Sequence, residues 1–380
     1  MHDVAPDCIN RVYLLDTRHG VELRQLTSWI AREHGGDGSA GRLNTIALPI
    51  SDERKVAGSE QLSETLSGSP ETLLIPARVS WRIPGFQKSR GIHLRHLLLG
   101  DPRAPGRLRA WSILLRNPQR AECFTGKPAS IGELRHRFER SAIAPGNDRE
   151  ATFAQFVMRQ AGLALDIAER DLRGSRYKVP KYVAQALRAD PRFYDALTAL
   201  AKRLGQPVED LEREAEGYMT ELIARPRALF IDLKAKLERF MLSLGYDEVP
   251  VVDPQEVERL RLLIREKPTL ILFTHKTYLD GLAATDIAYR HDMPLIHTFG
   301  GINMAMPGLS TMMRGSGGIF IRRSFRDNHL YKLVLRHYIS YLLEKRFPMT
   351  WAFEGTRSRL GKLMQPRFGL LKYVIDSAHG

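Results

Sequence analysis

The chain has 380 residues, 43% of them hydrophobic and 26% charged, and carries a net charge of +14. That length supports two or more folded domains, and the composition excludes a disordered chain. Cys8 and Cys123 are the only cysteines and no apolar run reaches membrane-spanning length, which excludes a disulfide scaffold and a transmembrane helix.

The two cysteines lack metal-ligand spacing and argue for a reducing compartment. The polar segment from Met1 to Cys8 lacks the apolar core of a signal peptide. Any membrane contact is therefore expected at the surface. The basic balance attracts anions, among them nucleic acid, anionic lipid, acidic carrier proteins and phosphorylated substrates.

Residues 1–150 read as a basic N-terminal region of uncertain fold. Leu43 to Ile50 and Thr72 to Ile83 look like strands, separated by a polar segment around Ser51 to Ser69. Between Trp81 and Arg140 there are 13 Lys or Arg and 4 Asp or Glu. That excess suits either a solvated face or a surface that meets anionic lipid or an acidic partner.

Residues 151–252 read as a helical region. Pro191 to Leu204, Pro207 to Ala224 and Pro226 to Leu244 each open on a proline suited to a first turn. Asp253, a plausible N-cap, opens a further helix to Lys267. From there the rhythm alternates. Thr269 to Thr274, Pro294 to Phe299, Gly318 to Arg322 and Met349 to Phe353 read as strands, with helices at about 279–291, 304–314 and 326–346. Residues 253–380 are thus an α/β domain, a mixed sheet flanked by helices.

Three stretches in this last segment carry chemistry. His275 and Asp280 have a spacing that also occurs at His2/Asp7 and His96/Asp101, so the spacing itself says little. Only the 275–280 pair follows a strand and opens a helix, where catalytic loops of α/β proteins lie. With His275 in the turn and Asp280 in the first helical turn, the carboxylate can hold one imidazole nitrogen while the other takes a proton. Taken alone, this histidine also suits a structural role.

The second stretch, Gly317 to Arg323, is an apolar strand ending in Arg322 and Arg323. Alternation sends their side chains to opposite faces, so one can face a site while the other pairs elsewhere. In the third, Gly355 permits a tight turn, and Arg357, Ser358 and Arg359 offer donors suited to phosphate oxygens. Glu354 is expected to orient the arginines or a substrate hydroxyl, beside Thr356. A solvated loop is the plainer reading of the stretch.

Together the blocks His275…Asp280, Gly317 to Arg323 and Phe353 to Arg359 resemble, in order and separation, conserved blocks of the membrane-bound bacterial glycerol-3-phosphate acyltransferases and their mitochondrial relatives. The stretches Arg176 to Pro180 and Gly301 to Met304 agree, and the likeness covers about residues 175–375. It implies transfer of a fatty acyl group from acyl-CoA or acyl carrier protein to the 1-hydroxyl of glycerol 3-phosphate, the first step of phospholipid synthesis. By resemblance His275 is the general base and Asp280 its partner. Arg322, Arg323, Glu354, Gly355, Thr356, Arg357, Ser358 and Arg359 form the glycerol 3-phosphate site. No metal or cofactor is implied. The resemblance also implies a peripheral protein on the cytoplasmic face of the inner membrane, in contact with an anionic surface.

The family pattern includes a fourth block beyond the third, so the chain reads as C-terminally truncated, with low activity expected of it alone. Alternatives are acylation of dihydroxyacetone phosphate or 1-acylglycerol 3-phosphate, or a non-catalytic remnant that binds membrane or acyl carrier protein. Nucleic acid is not an expected partner, since no nucleic-acid fold signature appears and aromatics do not interleave with the basic run.

Overall fold

The computed structural model describes residues 10–34, 44–50, 60–83, 96, 100–140, 149–246, 251–277, 279–301, 309–322, 324–325 and 327–379. The chain divides into two compact units, Met1–Arg173 and Gly174–Gly380.

The first unit is built on a sheet. Strands β1 (Arg11–Asp16), β2 (Asn44–Leu48) and β3 (Leu73–Trp81) lie in the order β2-β1-β3 with parallel pairings. Two short strands, β4 (Ala121–Thr125) and β5 (Ala129–Ser130), pair antiparallel with β3. Val12 and Leu14 face one side of β1 while Tyr13 and Leu15 face the other, and all four are buried. Helices on both faces cause this continuous burial. Helix α1 (Gly20–His34) covers one face through Leu26 and Ile30, joined by α3 (Arg107–Arg116) through Ala110 and Ile113. Helices α2 (Glu60–Leu66), α4 (Ile131–Arg140) and α5 (Arg149–Arg173) cover the other.

Arg78, in the middle of β3, ties α5 to the sheet. Its guanidinium lies 2.6 Å from Asp16, 2.8 Å from Asp166 and 3.0 Å from Glu169. Burial works against its charge, but the three carboxylates outweigh burial and hold it protonated. The region of uncertain fold is therefore an α/β unit. Its boundary lies at Arg173 rather than at 150, because α5 buries Phe153, Val157 and Leu165 against this sheet.

In the second unit the expected helices form α7 (Pro191–Leu204), α8 (Val208–Leu222), α9 (Ala228–Ser243) and α10 (Pro254–Glu266), after the short α6 (Val183–Arg188). Pro191 and Pro254 occupy first-turn positions, and the carboxylates of Asp190 and Asp253 accept from Arg192 N and Gln255 N. Pro207 instead caps α8, and Pro226 lies ahead of the Arg227 cap of α9.

Strands β6 (Leu270–Phe273), β7 (His297–Gly301), β8 (Gly318–Ile321) and β9 (Met349–Ala352) form a sheet in the order β6-β9-β7-β8. Every pairing among these described strands is parallel. The linking helices are α11 (Leu279–Arg290), α12 (Leu309–Arg314) and α13 (His329–Glu344), and α14 (Gly369–His379) follows β9. The core centres on α13, whose Tyr331, Val334, Leu335, Tyr338, Ile339 and Leu342 are fully buried. Asn328 caps α13 by accepting from Tyr331 N at 2.7 Å. The fold is thus α/β, with sheets flanked by helices, and the antiparallel pairings occur in the first unit.

Candidate active site

The three chemistry-bearing stretches share one edge of the second sheet. His275 lies two residues past the end of β6, Arg322 directly past β8, and Glu354 two residues past β9. Parallel strands present all three ends on the same side, the carboxyl edge where α/β proteins bind ligands.

Strands β6 and β9 are neighbours, and their following loops are tied together. The backbone N–H of His275 donates to Glu354 Oε2 at 2.8 Å, and the N–H of Ser358 donates to the His275 carbonyl at 2.8 Å. The other Glu354 oxygen accepts from Met364 N at 3.1 Å. Both carboxylate oxygens are thus engaged by backbone donors, so Glu354 acts as a clamp rather than as an orienter of arginines. The His275 and Met364 N–H groups hold this buried carboxyl below the usual carboxylate range.

His275 and Asp280 come together less tightly than a hydrogen bond. The Nδ1 to Oδ2 distance is 4.0 Å. Asp280 spends its oxygens on the turn itself: Oδ2 accepts from Lys276 N and Thr277 N, each at 2.7 Å, and Oδ1 accepts from the Thr277 hydroxyl at 2.9 Å. Burial favours the neutral acid, but the Thr277 and Lys276 donors and the nearby imidazole outweigh it and hold the pKa below the ordinary value. An ionised carboxylate therefore faces the Nδ1 side of the ring. Phe273 packs edge-on to the imidazole, with ring centroids 5.9 Å apart. A Cβ at Gly281 would come within 3.2 Å of the same phenyl ring.

Arg322 is the strand-end arginine that pairs elsewhere. It donates to both oxygens of Glu221, at 2.8 and 2.5 Å, and lies over the rings of Tyr218 and Tyr331. Arg323, Ile302, Asn303 and Met304 lie outside the described residues, as do His2, Asp7 and Cys8. Arg357 is half-buried, Ser358 is buried, and Thr356 and Arg359 are exposed. Gly355 has φ +71°, and a Cβ there would meet Arg367 Cδ at 2.9 Å. Arg367 thus lies over the loop, and its N–H donates to Phe353 O at 2.7 Å. Thr277 escaped the sequence reading, although Thr277-x-x-Asp280 has capping-box spacing. The Glu221 partner of Arg322 left no sequence signal.

Residues 251–378 match the family described as Acyltransferase. A glycerol-3-phosphate acyltransferase of Pseudomonas entomophila is 27% identical over 346 residues, 89% of this chain and 38% of that protein. Residues 251–378 are thus similar to the acyltransferase family, and most of the chain is similar to a glycerol-3-phosphate acyltransferase. Proteins of Mycobacterium tuberculosis and Mycobacterium bovis with the provisional name acyltransferase plsB1 are 34% identical over 199 residues, 52% of this chain and 31% of theirs. The chain spans well under half the length of these curated relatives. The likeness agrees with the geometry, since the matched segment holds the His275 turn and the Glu354 loop.

Proposed function

We propose that this chain carries the reaction site of an enzyme that moves a fatty acyl group from a thioester, on coenzyme A or acyl carrier protein, to the 1-hydroxyl of glycerol 3-phosphate. The supporting observation is the clamp that ties the His275 turn to the arginine-bearing loop after β9.

With Nδ1 directed at the Asp280 carboxylate, Nε2 is the nitrogen left to take the hydroxyl proton. The alkoxide oxygen attacks the thioester carbonyl and forms a tetrahedral intermediate. Its collapse expels the thiolate, which takes the proton back from the imidazolium. Asp280 stabilises the imidazolium at short range without receiving the proton. Arg357 and Arg359, on the loop pinned through Ser358 N, would hold the acceptor phosphate and so place the hydroxyl. Arg322, engaged with Glu221, would contribute support and field rather than a direct phosphate contact. The matching whole-protein setting is a peripheral enzyme on the cytoplasmic face of an anionic membrane, and among the described residues no helix is long and apolar enough to cross one.

The test is thiol release from acyl-CoA and from acyl carrier protein, with glycerol 3-phosphate, dihydroxyacetone phosphate and 1-acylglycerol 3-phosphate in competition. Preference for glycerol 3-phosphate is expected. Preference for either other acceptor, or acylation at the 2-hydroxyl, would replace this reading.

A further inference from the structure

Helix α3 presents an apolar stripe to solvent. Leu108, Trp111 and Leu115 are 83%, 57% and 65% exposed, while Ala110 and Ile113, on the opposite side, pack into the core. At ~100° per residue the three exposed side chains fall within about 60° of one another. The same helix thus has two apolar faces, and one lacks cover among the described residues. Arginines border the stripe: Arg107 on one flank and Arg116 on the other, both exposed. From Pro102 to Ala121 there are five arginines and no acidic residue.

We infer that this face of α3 is a docking surface for an anionic lipid bilayer. Large apolar side chains around a tryptophan, bordered by cations with long stems, fit the boundary between acyl chains and anionic headgroups. A protein partner would have to combine an apolar groove with acidic rims. A bilayer with anionic lipid supplies both chemistries without shape matching, and the net charge of +14 favours approach to it. The claim gives the membrane contact of the proposed function an element. It does not rest on the acyl-transfer chemistry, since lipid binding without turnover would leave it standing.

The experiment is co-flotation of the whole chain with phosphatidylcholine vesicles, with and without phosphatidylglycerol, alongside tryptophan emission. Trp81 and Trp351 are buried and Trp29 is half-buried against the core, so the part of a blue shift on adding anionic vesicles that comes from the exposed Trp111 should vanish in Trp111→Phe. Leu108→Ser with Leu115→Ser should weaken vesicle partition at least ~10-fold. Arg107→Glu with Arg116→Glu should abolish the preference for anionic over neutral vesicles. These positions are exposed, so unchanged thermal melting is expected and confirms that each variant folds.

A second exposed apolar pair, Phe240 of α9 and Leu244 at its C-terminal cap, provides the competing location. Loss of binding in Phe240→Ser with Leu244→Ser, with the α3 variants unaffected, would overturn the assignment. So would concentration-dependent self-association that the α3 variants abolish, or failure of the wild-type chain to float.

Discussion

The carboxylate of Glu354 accepts the backbone N–H of His275 at 2.8 Å, joining the loops after two neighbouring parallel strands. The pair is 79 residues apart in sequence, and the contact sets the peptide rather than the imidazole of His275. Because the second Glu354 oxygen holds Met364 N, one ionised side chain fixes both walls of the candidate site.

Glu354→Gln retains the shape but has one acceptor oxygen for two backbone donors. One N–H must lose its partner, and the unsatisfied donor disfavours the closed arrangement. Acyl transfer is expected to fall at least ~10-fold through misplacement of His275, with Glu354→Asp also impaired because its carboxylate is a methylene short. Steady-state assays of both variants check this.

Asp280 contributes stability with a defined pH dependence. Its folded pKa lies below its unfolded value, so the ionised form favours folding. That contribution is complete above the unfolded pKa of about 3.9 and is lost as pH falls through the lower folded value. Asp280→Asn should therefore shift the urea midpoint at pH 7, and the gap from wild type should close as pH falls below about 4. A gap independent of pH would contradict the ionic role.

His297 shifts stability in the same direction, over a higher pH window. It is fully buried at the start of β7, and burial pushes its pKa down to about 4. Between that value and the unfolded value of about 6.5 the unfolded chain binds the extra proton, so stability falls as pH is lowered through this window. The loss is on the order of 3 kcal/mol. His297→Leu should flatten the pH dependence of the urea midpoint across that window, relative to wild type.

Arg322 and Glu221 form a bidentate pair whose arginine side chain is 40% exposed. Exposure limits such a pair, so Arg322→Ala is expected to cost about 1 kcal/mol, the tyrosine contacts included. Its effect on the KM for the phosphorylated acceptor should be smaller than that of Arg357→Ala. A larger effect at Arg322 would mean that the guanidinium leaves Glu221 to meet the phosphate.

The second unit was legible where local chemistry and tertiary structure agree. Pro191 with Asp190 and Pro254 with Asp253 mark helix starts that the structure retains. The short apolar runs at Leu270–Phe273 and Met349–Ala352 pair in parallel with each other, the second buried inside the sheet and the first half-buried at its edge. The N-terminal sheet was harder to read. In β1 both faces are buried, which removes the alternation that marks a strand. At the site, the order of the blocks pointed to the sheet edge, but the clamp did not show. Glu354 bonds to backbone N–H groups, which any residue supplies, so no side-chain pattern announces it. Arg322 and Glu221 lie 101 residues apart, and only the fold brings them together.

The central claim is that His275 removes the acceptor proton. Acyl transfer to glycerol 3-phosphate by His275→Ala tests it most directly, assayed in this chain and in a version extended to the length of its relatives, with thermal melting as the folding control. The expected result is a loss of about 10²- to 10⁴-fold in kcat with unchanged melting. Near wild-type turnover by His275→Ala, in whichever version is active, would contradict the account.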